Sequence, residues 1–167
     1  GLATGTHDHV FVSWSTTNRT PGSLFASDLK VARSQDGGRT FEAPIQVNDD
    51  GLPISHTFED LATGHGSDLY LAWLDGRGKD QSGAGVLFGC SKNQGQTIGK
   101  NLTVDGMACP CCRPMMAVAP NGHLWVAWRK TFAGNVRDIV LAKSEDRGQT
   151  FSSPLLVHKD NWVFSAC

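Results

Sequence analysis

Three stretches of this chain alternate apolar and polar residues and end on tryptophan: His9-Val10-Phe11-Val12-Ser13-Trp14, Asp68-Leu69-Tyr70-Leu71-Ala72-Trp73 and His123-Leu124-Trp125-Val126-Ala127-Trp128. A period of two sorts side chains onto the two faces of a half-buried strand. Another strand-like run follows each stretch, over residues 29–33, 85–90 and 138–143, and then one more over 43–47, 101–104 and 154–157. Residues 56–62 and 115–119 supply a strand ahead of the second and third tryptophan stretches. Helical periodicity is absent at any useful length. The pattern predicts repeated units of four short antiparallel strands.

The join between the third and fourth strands of each unit also repeats as sequence. Ser34-Gln35-Asp36-Gly37-Gly38-Arg39-Thr40-Phe41 is followed by Ser91-Lys92-Asn93-Gln94-Gly95-Gln96-Thr97-Ile98 and by Ser144-Glu145-Asp146-Arg147-Gly148-Gln149-Thr150-Phe151, with starts 57 and 53 residues apart. Such a period marks an array of structural repeats. As a hairpin the pattern is physically sensible. The Asp carboxylate accepts backbone N–H groups within the turn, Gly supplies a positive φ, Thr re-enters a strand and Phe inserts into the core. Asp36 and Asp146 are thus read as turn residues.

The pattern S-x-D-x-G-x-T-F resembles the Asp-box, or BNR repeat, of sialidases and related β-propellers. The resemblance covers nearly the whole chain and implies an all-β fold of propeller blades, each of four antiparallel strands. About three blades fit the chain, whereas sialidase-like propellers close with six. An open arc would leave two apolar blade faces bare. The expectation is therefore one partial propeller domain over 1–167, either a fragment of a longer chain or half of an assembled ring. Remaining blades or a second copy would close it.

Composition narrows the class. A formal net charge of −1 with 19% charged residues argues against nucleic acid as the main partner. No apolar run approaches the ~20 residues of a membrane span. Asn18-Arg19-Thr20 and Asn101-Leu102-Thr103 match glycosylation sequons.

The candidate chemistry gathers at one rim. With the boxes at the opposite rim, the strand order brings His56, Cys112 and Cys167 to equivalent entries of the central channel, 22, 21 and 23 residues after their box serines. Arg113, Arg129, Arg137, Asp138, Asp75 and Arg77 fall on the same rim as candidate ligand-binding residues. Cys90, beside a box serine, stands apart. Three readings of the cluster Cys109-Pro110-Cys111-Cys112 are open. It is a disulfide staple of an extracytoplasmic protein, with Cys167 or a cysteine outside this sequence as partner. Or it is a thiolate site for Cu(I) or Zn built from Cys109, Cys111, Cys112, Cys167 and His56. Or it is a redox or nucleophilic thiol stabilised by the neighbouring arginines.

The Cys-Pro-Cys-Cys-Arg-Pro run, the later Trp-Arg and Arg-Asp pairs and the final Cys also resemble a group of bacterial sialidase-like BNR proteins. Sialidases hold a substrate carboxylate with three arginines from different blades and use a Glu-supported Tyr nucleophile with an Asp acid/base. Here Arg113, Arg129 and Arg137 come from one blade, and Tyr70, the sole tyrosine, occupies a core aromatic position. The tryptophans at 14, 73 and 128 are read as blade core. The residues point to a periplasmic or secreted propeller that binds a small molecule or glycan, or handles a metal, without hydrolysis. The competing reading is an exo-sialidase-like hydrolase whose nucleophile lies outside this chain.

Overall fold

The computed structural model describes residues 1–18, 21, 23–78 and 84–163. These form twelve strands: β1 (Leu2–Thr4), β2 (Val10–Thr17), β3 (Ser27–Ser34), β4 (Ile45–Gln46), β5 (His56–Thr63), β6 (Leu69–Asp75), β7 (Ala84–Ser91), β8 (Leu102–Ala108), β9 (Met115–Val118), β10 (Leu124–Thr131), β11 (Arg137–Ser144) and β12 (Leu155–His158). Short 3₁₀ turns at His65–Ser67 and Ala133–Asn135 are the helical elements among them. Every ladder is antiparallel. The strands group as β1-β2-β3-β4, β5-β6-β7-β8 and β9-β10-β11-β12, three four-stranded propeller blades. Blades 2 and 3 are joined by a single β8–β10 pairing of Ala108 with Lys130.

Register fixes the two rims. Val10, Leu69 and Leu124 pair with the box serines Ser34, Ser91 and Ser144. At the other ends, Thr17 pairs with Ser27, Asp75 with Gly85 and Thr131 with Arg137. All three boxes therefore lie on one rim, each linking the third strand of its blade to the fourth.

The boxes share one hydrogen-bond scheme. Ser34 Oγ donates to Asp36 Oδ1 (2.7 Å) and accepts from Gly38 N (2.9 Å), while Asp36 Oδ1 accepts from Thr40 N (2.9 Å) and Asp36 Oδ2 from Thr40 Oγ1 (2.6 Å). Ser144, Asp146, Gly148 and Thr150 repeat these bonds. The degenerate middle box keeps them by reversing one: Asn93 Nδ2 donates to Thr97 Oγ1 at 2.9 Å. Bonds from Thr40, with one from Ser34, hold the Asp36 carboxyl well below the usual carboxylate range, and Asp146 is held down in the same way, chiefly by Thr150.

The core lies between blades. Phe11, Leu29 and Val31 of blade 1 pack with Leu61, Leu69, Leu71, Trp73 and Leu87 of blade 2. Leu74, Ala84 and Val86 pack in turn with Val126, Trp128, Val140 and Ala142 of blade 3. Each tryptophan of the repeat faces the preceding blade, which corrects one expectation: Trp73 and Trp128 are buried, but Trp14 is 37% exposed. The same geometry explains the box aromatics. Phe151 packs edge-on against Phe88 of blade 2, at 5.0 Å between centroids, whereas Phe41 is 45% exposed because no described blade covers that face. Tyr70 is 1% exposed, as expected of a core aromatic. It pairs with Cys90 on the box rim and donates its hydroxyl to Asp68 Oδ2 at 3.1 Å.

Candidate functional site

The rim opposite the boxes is where the strands become irregular. β5, the innermost strand of blade 2, loses register between Thr57 and Asp60. Within this bulge Phe58 adopts φ 57°, a conformation that costs a bulky residue free energy and that surrounding structure must hold in place. The bulge turns Phe58 outward, 38% exposed, and buries Glu59. Glu59 accepts from Ser13 Oγ of blade 1 at 3.2 Å, and Asp60 Oδ2 accepts from Met116 N of blade 3 at 2.7 Å. The bulge thus ties all three blades.

Next to it runs the connection from β8 to β9. Cys109 and Cys112 form a disulfide there, with Cα atoms 5.4 Å apart and a Cys112 N–H to Cys109 carbonyl bond across the turn. Cys111 Sγ lies 3.7 Å from Cys109 Sγ. Arg113, exposed, donates to the Glu59 carbonyl. Arg137 is buried and donates from Nη1 to Cys109 Sγ (3.3 Å) and from Nη2 to Asn135 Oδ1 (3.1 Å). Arg129 donates to the Arg137 carbonyl at 2.9 Å and stacks over the Trp162 ring at 4.6 Å. The buried carboxylate of Asp138 accepts from the backbone N–H groups of Asp160 and Asn161. Arg113 thus lies on the Cys109–Arg113 loop, and Arg129 and Arg137 lie at the adjoining end of blade 3.

These findings revise the soft-metal expectation. Cys109 and Cys112 are bonded to each other, so neither offers a thiolate, and Cys167 lies outside the described residues. His56 groups with Asp50 and Asp75 rather than with the sulfurs. Its Nδ1 donates to the Ser27 carbonyl (2.5 Å), and its Nε2 faces Asp50 Oδ2 (3.2 Å) and Asp75 Oδ2 (3.6 Å). Arg77 sits among the same carboxylates. It bonds Asp75 through Nε (2.9 Å) and Nη2 (2.8 Å), reaches Asp49 through Nη1 (2.7 Å), and lies 3.4 Å from Asp50. A guanidinium already neutralises the carboxylates that a cation would need, so this cluster is an ion-pair network. Burial pushes the Asp50 carboxyl up, but the Asn48 amide and the His56 and Arg77 charges outweigh it and hold the group low. The Asp75 bonds, aided by Asp49, raise Arg77 further above its ordinary value.

A cavity of about 750 Å³ opens at this rim between blades 1 and 2, lined among others by Ser15, Ser27, Thr57, Phe58, Asp75 and Cys111. The expected residues Asp75 and Cys111 meet there, while Arg129 lies at a separate groove with Asp160 and Trp162. Sequence reasoning missed Asp49, Asp50 and Phe58. The run Asn48-Asp49-Asp50 was a usable signal, since three strong hydrogen-bonding side chains directly follow an outer strand. Nothing in the sequence marks the bulge at Phe58. Cys90 stands apart as expected: it is a free, half-buried thiol on the box rim, and burial pushes it up.

Four-stranded blades joined by serine- and aspartate-stapled hairpins, with a polar mouth at the far rim, define a sialidase-like Asp-box β-propeller. The BNR repeat-like domain matches residues 4–163, and the chain belongs to that family. Solved structures agree on the fold. The Hadza microbial sialidase Hz136 superposes with a TM-score of 0.65 at 18% identity, over 90% of this chain and 35% of its own. A protein of unknown function from Dyadobacter fermentans gives 0.64 at 15% identity, over 93% and 49%. The GH93 α-L-arabinofuranosidase of Fusarium graminearum gives 0.57 at 18%, over 88% and 44%. The chain thus spans less than half the length of each. No curated protein matches the sequence.

Proposed function

We propose that this chain is the ligand-binding part of an extracytoplasmic β-propeller that takes a glycan or a related small polyol at the mouth opposite the Asp-boxes. The observation that carries the reading is the cavity between blades 1 and 2. The hydroxyl-bearing residues Ser15, Ser27 and Thr57 line it, beside Asp75 and the outward Phe58 ring. An apolar ring flanked by a few fixed polar groups suits the mixed faces of a sugar. The disulfide supports an oxidising compartment. No helix among the described residues is long and apolar enough to cross a membrane. Arg113, exposed beside the cavity loop, is the candidate contact for an anionic substituent; Arg129 lines the neighbouring groove, where Asp138 holds the backbone of Asp160 and Asn161.

Hydrolysis is the competing reading, favoured by the sialidase and arabinofuranosidase among the structural neighbours. Within this chain Tyr70 is buried on the box rim, so a tyrosine nucleophile would have to come from elsewhere. Titration with neutral and sialylated oligosaccharides, followed by product analysis, separates the two. Binding without turnover that weakens about tenfold in Phe58→Ala supports the first reading. Release of free sugar supports the second, and no binding in either sugar class removes both.

A further inference from the structure

The Cys109–Cys112 pair has Cys-x-x-Cys spacing. Its environment is unlike that of an inert staple. Cys109 is fully buried and Cys112 only half-buried, so the two sulfurs differ in access. The buried guanidinium of Arg137 donates to Cys109 Sγ at 3.3 Å. A disulfide sulfur is a weak, neutral acceptor, whereas a thiolate at the same position gains a charge-assisted bond about twice as strong. An arginine so placed stabilises the reduced form more than the oxidised one. That is the arrangement that makes a disulfide oxidising and its thiol acidic.

We propose that Cys109–Cys112 is a redox-active centre that accepts two electrons from a dithiol reductant. This goes beyond ligand binding at the cavity and does not depend on it. One reductant thiolate attacks the accessible Cys112 sulfur. The Cys109–Cys112 bond breaks, and its electron pair leaves on Cys109 as a thiolate held by Arg137. The second reductant thiol, as its thiolate, attacks the mixed disulfide and releases Cys112, which takes up a proton. The reductant departs as a cyclic disulfide, and one proton is released overall because Cys109 stays unprotonated.

The test is equilibration of the folded chain with graded ratios of reduced and oxidised dithiothreitol, followed by acid quenching, alkylation and peptide mass analysis. Reduction is expected without denaturant. The exchange constant should rise about tenfold per pH unit between pH 6 and 8, because one proton is released; two neutral thiols would leave it flat. Arg137→Gln should lower the constant at least tenfold at pH 7, and Arg137→Lys should recover part of the loss. Should Arg137→Gln fail to fold, the pH dependence of the unmodified chain decides alone. A flat profile, or a bond that yields only after unfolding, would overturn the proposal.

Discussion

Gly148 and Phe88 touch across the interface of blades 2 and 3 so closely that a Cβ on the glycine would stand 2.6 Å from the ring. Gly95 and Phe11 repeat the contact between blades 1 and 2, also at 2.6 Å. The box glycine therefore has two separate reasons to be glycine: a positive φ, and an aromatic of the preceding blade against its α-carbon. Gly38 carries only the first, with Val10 at 3.9 Å as its nearest neighbour. Gly38→Ala is expected to cost about 1 kcal/mol for the left-handed backbone. Gly148→Ala adds overpacking and should cost about 3 kcal/mol. Equal losses in urea denaturation would show that the contact is easily relaxed.

The Asp-box carboxylates should confer an acid limb on stability. Asp36 and Asp146 are held below the ordinary range in the folded chain, first by Thr40 and Thr150 respectively. A depressed folded value means that the stabilisation is complete above about pH 4, the unfolded value, and is lost as pH falls below it. The middle box shows that an amide serves in the same place. Asp146→Asn should therefore fold, and its urea midpoint should fall less between pH 5 and pH 2 than that of the unmodified chain.

Asn101 heads a sequon, yet its side chain is consumed by the fold. It is 8% exposed; Oδ1 accepts from Asp49 N (3.1 Å) and Arg77 Nη2 (3.2 Å), and Nδ2 donates to the Val47 carbonyl (3.0 Å). Expression in a glycosylating host should leave Asn101 unmodified in intact-mass analysis of folded protein. Asn101→Ala should cost about 2–3 kcal/mol through the partners it strands. A glycan at Asn101 on folded protein would contradict this packing.

Tyr70 should prove structural. Tyr70→Phe removes the bond to Asp68 and the one accepted from Lys92 Nζ (3.1 Å), for about 1 kcal/mol, and leaves glycan affinity at the far rim unchanged. Lost binding in a variant with native denaturation behaviour would return Tyr70 to the list of site residues.

The sequence by itself determined the blades and the boxes, because both are local. Strand alternation needs only neighbouring residues, and Ser34, Asp36, Gly38 and Thr40 satisfy one another within a single turn. It also put Asp75, Arg77, Arg113 and Arg137 on one rim, since register follows from the direction in which each strand leaves its box. What the tertiary structure decided depends on contacts between blades. Trp14 and Trp73 share a repeat position, yet only the second has a preceding blade to bury it. Cys109 chose Cys112 because the turn after β8 brings their α-carbons within bonding reach, a fact of chain geometry that spacing alone left open. His56 went to Asp50, Asp75 and Ser27 rather than to the sulfurs, because a buried imidazole on an inner strand binds whatever polar groups its neighbouring strands present. The bulge at Phe58 has no sequence signature at all. It exists because Glu59 and Asp60 reach Ser13 and Met116 on the two flanking blades, and those partners are defined only once the blades are side by side.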